Sequence, residues 1–279
     1  MLGQRGRLRG EPSGREKSWV MSTFVVPGAE LAVELSDEGG HPVVQLHGLT
    51  SSRARDRVLN LDLGRGLSGT RLLRYDARGH GKSTGRKVPE DYRWESLAED
   101  LLQLLDKWFP GERVHGVGPS MGAGTLLHAA AREPDRFAGL TLMVPATAWE
   151  TRPAQAAIYR AAADFIETEG VGAFIASSRG VTPPPATVGR PETVPDVADA
   201  LLPSLFRGAA LSDLPAREAV ARIDVPTTIL AWVGDPAHPM STAESLAALM
   251  PRSTLTVAHI PADVETWPQI LSQDVARRG

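Results

Sequence analysis

The stretch Val114-His115-Gly116-Val117-Gly118-Pro119-Ser120-Met121-Gly122-Ala123-Gly124 decides how this chain folds. Arg113 to Val117 are apolar enough for a buried strand, and Met121 to Ala131 are small or apolar and favour helix. Between them, Gly118-x-Ser120-x-Gly122 fits a serine on a sharp strand-to-helix turn. Such a turn strains the serine and brings neighbouring backbone close, so only residues without a Cβ sit comfortably at its flanks. Alone, a G-x-S-x-G pattern is weak. Between a strand and a helix it is strong.

The 279 residues suffice for one large α/β domain or two small ones, and 42% hydrophobic content allows an ordinary core. A formal net charge of -3 gives no sign of the basic face that nucleic acid requires. The chain has no cysteine, which excludes a cysteine nucleophile, disulfides and thiolate metal sites and fits a reducing cytoplasm. No apolar run approaches the roughly 18 residues of a membrane span. Met1 to Lys17 carries Arg5, Arg7, Arg9, Arg15 and Lys17 against Glu11 and Glu16, with much glycine and no apolar core of the kind a signal peptide has. Residues 1–20 are therefore expected to form a disordered, solvated basic extension. Met21 opens the first strand-like run and is a candidate start of translation.

Thr23 to Val26 and Glu30 to Ser36 read as a hairpin turning at Pro27-Gly28. Short apolar strands are expected at Val43 to Leu46, Arg71 to Tyr75, Leu140 to Val144, Thr227 to Val233 and Thr254 to Ala258. Leu97, Leu101, Leu104, Leu105 and Trp108 recur at helical spacing within Trp94 to Trp108, and Trp267 to Arg277 closes the chain as a helix. Strands alternating with helices imply a mostly parallel sheet covered on both faces, with active groups at the strands' carboxyl ends. His47-Gly48, Asp76, Ser120 and Asp235 stand at those ends. Pro145 to Val225 breaks the alternation with helices expected at Ala154 to Glu169, Pro195 to Leu205 and Pro215 to Ile223, and a proline-rich interruption at Thr182 to Pro191.

The motifs His47-Gly48-Leu49, Asp76-Ala77-Arg78-Gly79-His80-Gly81-Lys82-Ser83, Gly118-Pro119-Ser120-Met121-Gly122 and Gly234-Asp235-Pro236 occur in that order. From Met21 onward the chain resembles the α/β-hydrolase superfamily, nearest in character to its small, capped, cofactor-free esterases, lactonases and haloperoxidase-like members. The resemblance implies a mostly parallel eight-stranded sheet with helices on both faces. The core would span residues 21–145 and 226–279, with a helical lid over 146–225.

Ser120 is the candidate nucleophile, because a serine hydroxyl at such a turn becomes reactive once a base takes its proton. Its bland alternative is a helix N-cap. In the superfamily the oxyanion is held by two backbone N–H groups, which here are those of Met121 and Leu49. Asp235 follows a buried strand and matches the acid, the other reading being a turn-initiating aspartate before Pro236. The base is where this chain departs from the pattern: the usual Gly-His after the last strand is missing. His259 is the first candidate and His238, three residues from the acid, the second, with a triad lacking any base as a third reading. His47 is expected to shape its loop, and His80, His115 and His128 to be structural. None of the seven histidines has metal-ligand spacing. Arg78 is expected to tie adjacent loops.

Trp149 and Tyr159, with Phe165, Phe174 and Phe206, are available to line an apolar pocket in the lid. The expected activity is that of a serine hydrolase acting without cofactor or metal on an apolar acyl ester or lactone, through an acyl-serine. A non-hydrolytic ligand-binding protein on the same fold stands as the alternative, as do perhydrolase or carbon–carbon hydrolase chemistry. The partner is a small molecule rather than nucleic acid or membrane, and the motifs leave the oligomeric state open.

Overall fold

Every short β-prone run of the sequence enters one sheet. The computed structural model describes residues 19–278. Its strands are β1 (Trp19–Val26), β2 (Ala29–Asp37), β3 (Pro42–Gln45), β4 (Arg71–Tyr75), β5 (Val114–Pro119), β6 (Phe137–Met143), β7 (Thr227–Trp232) and β8 (Ser253–Ala258). They lie in the order β1-β2-β4-β3-β5-β6-β7-β8. β1 with β2 and β2 with β4 are antiparallel, and the remaining pairs are parallel. The central strands β3, β5 and β7 are buried along their whole length, as strands covered on both faces must be.

The helices are α1 (Arg53–Val58), α2 (Trp94–Trp108), α3 (Met121–Arg132), α4 (Arg152–Ser177), α5 (Leu202–Ala210), α6 (Arg217–Ala221), α7 (Met240–Leu249), α8 (Pro261–Glu265) and α9 (Trp267–Arg278). On one face α2 buries Leu97, Leu101, Leu104 and Leu105 against the sheet, in a core shared with Leu126 and Leu127 of α3 and Leu246 of α7. On the other face Trp267, Leu271 and Val275 of α9 pack with Leu61, Leu63 and Leu72. Ala163, Ile166, Leu202 and Phe206 form a separate small cluster within the helical segment between β6 and β7.

Three boundaries differ from the expectation. The extension expected over residues 1–20 lies outside the described residues as far as residue 18, while Trp19 and Val20 already pair with Ser36 and Leu35 in β1. α4 continues beyond Glu169, but it breaks at Gly170, whose φ of 85° no helix accommodates. α5 begins at Leu202 rather than Pro195. The preceding segment spends its backbone bonds elsewhere: Asp196 N–H donates to Thr50 O at 2.9 Å, Gly81 N–H to Asp196 O at 2.8 Å, and Val197 bridges His80. Tertiary pairing to the loops at the sheet's carboxyl edge replaces a helical turn there. Among the described residues no helix is long and apolar enough to cross a membrane.

Candidate active site

β5 ends at Pro119, and α3 begins at Met121. Ser120 between them has φ 51° and ψ -110°, a strained conformation for a residue with a side chain. The surroundings hold it there. Ser120 N–H donates to Met143 O at 2.9 Å and Ser120 O accepts from Gly124 N–H at 3.0 Å. A Cβ on Gly118 would lie 3.2 Å from Gly122 Cα, and one on Gly122 would lie 3.0 Å from His47 O. The two motif glycines therefore let the turn close on itself and on the loop after β3. Gly122→Ala is expected to lower stability by about 1–3 kcal/mol through this overpacking. Urea unfolding of both proteins tests it, and coincident curves would refute it.

The structure brings three of the sequence candidates together. His238 Nε2 lies 2.9 Å from Ser120 Oγ, and His238 Nδ1 lies 2.8 Å from Asp235 Oδ2. A four-residue turn achieves this. His238 N–H donates to Asp235 O at 3.1 Å, Ala237 N–H donates to Asp235 Oδ1 at 3.0 Å, and Ala237 O accepts from Thr147 N–H at 3.1 Å. The turn folds His238 back over Asp235, so the two ring nitrogens face opposite partners. Burial alone would raise the Asp235 carboxyl, but His238, the Trp232 indole N–H at 2.9 Å and Ala237 N–H hold it down to about 2. Asp235 is thus an anion throughout the physiological range.

His259, the first candidate for the base, lies elsewhere. It is exposed just past the end of β8, and its backbone N–H donates to Asp263 Oδ2 at 2.8 Å. That contact caps the turn into α8 and leaves the imidazole outside the group at Ser120. The short connection from Asp235 is what delivers the His238 ring.

The loop after β3 borders Ser120 from the other side. His47 is buried, with Nε2 accepting Ala77 N–H at 2.9 Å and Nδ1 donating to Gly48 O at 2.8 Å, which fixes its tautomer and ties this loop to the one after β4. Gly48 approaches closely enough that a Cβ there would lie 3.8 Å from Ser120 Cβ. Leu49 follows it and lines a cavity of about 290 Å³ that contains Ser120 and His238. As the first residue of α3, Met121 has an N–H without an intrahelical acceptor. The loop after β4 is anchored by Arg78, whose Nε and Nη2 bind Asp100 of α2 at 2.7 and 2.5 Å.

Tyr159 and Phe206, from the helical segment, line the Ser120 cavity with Val144 and Trp232. Trp149 is not among its lining residues. Its indole N–H donates to Pro215 O at 3.1 Å and Arg217 stacks 4.2 Å above its ring, so the side chain packs against α6 instead. His80 is buried, which pushes its imidazole down to about 3, and His115 bonds Thr141 Oγ1 at 2.8 Å within the sheet. His128 Nε2 meets Asp213 O at 2.8 Å. Sequence reasoning missed Trp232, which both walls the cavity and steadies Asp235. Its signal was its place three residues before the acid at the end of a buried strand.

Residues 41–170 match a family model described as the alpha/beta hydrolase fold. The chain is 30% identical over 198 residues to 3-oxoadipate enol-lactonase 2 of Acinetobacter baylyi, covering 67% of this chain and 69% of that protein. A solved hydrolase from Pseudomonas aeruginosa superimposes with a TM-score of 0.70 at 28% identity, over 92% of this chain and 97% of that one. The enol-lactonase from Burkholderia xenovorans superimposes with a TM-score of 0.73, over 91% of this chain and all 100% of that one. At 23% identity this last likeness is one of fold.

Proposed function

The chain belongs to the α/β-hydrolase superfamily, and on that premise we propose that it is a cofactor-free serine hydrolase that cleaves a carboxylic ester or lactone. The observation that carries this reading is the unbroken line from Ser120 Oγ through His238 to Asp235, with separations of 2.9 and 2.8 Å. His238 Nε2 takes the Ser120 proton as Oγ attacks the carbonyl. Asp235 holds the ring in the tautomer with its proton on Nδ1 and stabilises the imidazolium that forms. The backbone N–H groups of Met121 and Leu49 receive the developing oxyanion. His238 then returns the proton to the leaving oxygen, and water, deprotonated by the same nitrogen, releases the acyl group.

The enol-lactonase relative favours ester or lactone carbonyls as the bond class. The rival reading of a non-hydrolytic binding protein rests on the want of a base, and the contact of His238 with Ser120 speaks against it. A fluorophosphonate probe is expected to label the protein at Ser120, and Ser120→Ala is expected to abolish both labelling and hydrolysis of 4-nitrophenyl butyrate. Equal turnover by the two proteins would sink the proposal.

A further inference from the structure

A second, larger cavity of about 860 Å³ opens beside the one at Ser120, between α1 and the C-terminal turn of α4. The two cavities share Thr50, Arg55 and Phe206 in their walls. Arg55 is thus the one cation common to both among the described residues. Its Nε donates to Thr193 Oγ1 at 2.9 Å, and its Nη1 donates to Thr50 O at 2.9 Å and Thr50 Oγ1 at 3.2 Å. Among the described residues, Nη2 has no hydrogen-bond partner, and no carboxylate lies within salt-bridge distance of the guanidinium.

The neighbouring buried arginines are held differently. Arg53 pairs with Asp76, Arg74 with Asp62 and Arg78 with Asp100. A guanidinium cannot shed its charge, and taking it from water without an anion is costly. Burial accordingly works against the Arg55 charge. Asp56 and Asp196 lie near enough to favour its charge, yet neither hydrogen-bonds to the guanidinium. Asp196 is taken by Ser52 Oγ at 2.5 Å, and Glu192 is exposed in the wall of the outer cavity, where Arg179 also stands. Asp56 lines the Ser120 cavity and binds Ser51 Oγ at 2.5 Å. Burial pushes its carboxyl up to about 7 against the pull of Ser51 and Arg55, so below that pH Asp56 is largely neutral and favours the Arg55 charge less.

Resting on the reading of Ser120 as a nucleophile, we propose that Arg55 is a specificity-determining residue for an ester or lactone that carries a carboxylate. That carboxylate seats against Arg55 Nη2, in the wall common to the two cavities, while the scissile carbonyl lies at Ser120. The inner cavity holds the reacting part, and the outer cavity admits the remainder of a substrate too long for about 290 Å³. Arg55 also steadies Thr50, next to the proposed oxyanion donor Leu49, so the test must separate charge recognition from tethering.

Two matched pairs of substrates do so. Mono(4-nitrophenyl) glutarate against 4-nitrophenyl valerate places the charge on the acyl side, and 4-(butyryloxy)benzoate against phenyl butyrate places it on the leaving side. The wild type is expected to favour the anionic member of one pair by about ten-fold or more in kcat/KM, the size of a charged hydrogen bond. Arg55→Gln should erase that preference, chiefly through KM, and Arg55→Lys should keep part of it. No preference in either pair, or an Arg55→Gln that weakens both members of a pair alike, would overturn the proposal. A calorimetric titration of glutarate into Ser120→Ala, with and without Arg55→Gln, reads the subsite without turnover, and equal affinity in the two would also overturn it. Failure of the serine-hydrolase reading is seen separately, as a lack of fluorophosphonate labelling and of neutral-ester hydrolysis.

Discussion

His238→Ala is expected to lower kcat/KM on a nitrophenyl ester by about 10⁴- to 10⁶-fold, the range seen when a member of a serine triad is removed. In the proposed mechanism the imidazole has two tasks that no neighbour takes over. Its Nε2 is the basic atom within 2.9 Å of Ser120 Oγ, and its Nδ1 carries the proton that Asp235 holds 2.8 Å away. Without the ring, Ser120 must attack as a neutral hydroxyl, and the leaving group departs without a proton. Asp235→Asn should cost about 10⁴-fold, because an amide that donates to Nδ1 selects the wrong tautomer. His259→Ala is expected to stay near wild type, since that side chain is exposed past the end of β8 and its backbone alone contacts Asp263. Retained activity in His238→Ala with loss in His259→Ala would reverse the assignment. Single-turnover kinetics adds a sharper readout: the acylation step itself should slow in His238→Ala, with little change in substrate binding.

Asp100→Ala is expected to destabilise the fold by about 3–5 kcal/mol, the usual result of leaving a buried charge without its partner. Arg78 and Asp100 are only 5% and 2% exposed, and their contact is bidentate. Removing the carboxylate strands a guanidinium between the loop after β4 and α2. Its remaining contacts are Pro27 O at 3.3 Å and Asp91 at 3.7 Å, which place the expected loss toward the lower end of that range. Arg78→Met with Asp100→Leu should be far less costly than Asp100→Ala, because both desolvated charges leave together. Guanidinium or urea unfolding measures all three. A loss below about 1 kcal/mol for Asp100→Ala would show that water or Asp91 replaces the pair.

Much of this molecule is legible along the chain because the relevant physics is local. β4 and α2 lie at the residues that apolar patterning indicates, Arg71–Tyr75 and Trp94–Trp108. The elbow is legible because two glycines and a serine between an apolar strand and a small-residue helix admit few other conformations. The miss at α5 has the opposite origin. Pro195 to Leu201 carries a helical pattern, but its first residues are drawn to Thr50, His80 and Gly81, loops more than a hundred positions earlier. Trp149 shows the same limit: an aromatic near the site by sequence is packed aside by Pro215 and Arg217.

The superfamily, the order of the site's motifs along the chain and the seat of Ser120 are legible from residues alone, because each motif is defined by spacing within a few residues. Which histidine faces that serine is set by tertiary contacts. His238 and His259 both follow strands at the same edge of the sheet, and composition does not rank them. What separates them is a turn whose side-chain hydrogen bonds to Asp235 rotate one ring toward Ser120, 118 positions away, while a helix cap holds the other outside. The same turn sharpens what the Gly118-x-Ser120-x-Gly122 stretch means: the strained serine is a candidate nucleophile because a distant loop brings an imidazole to it.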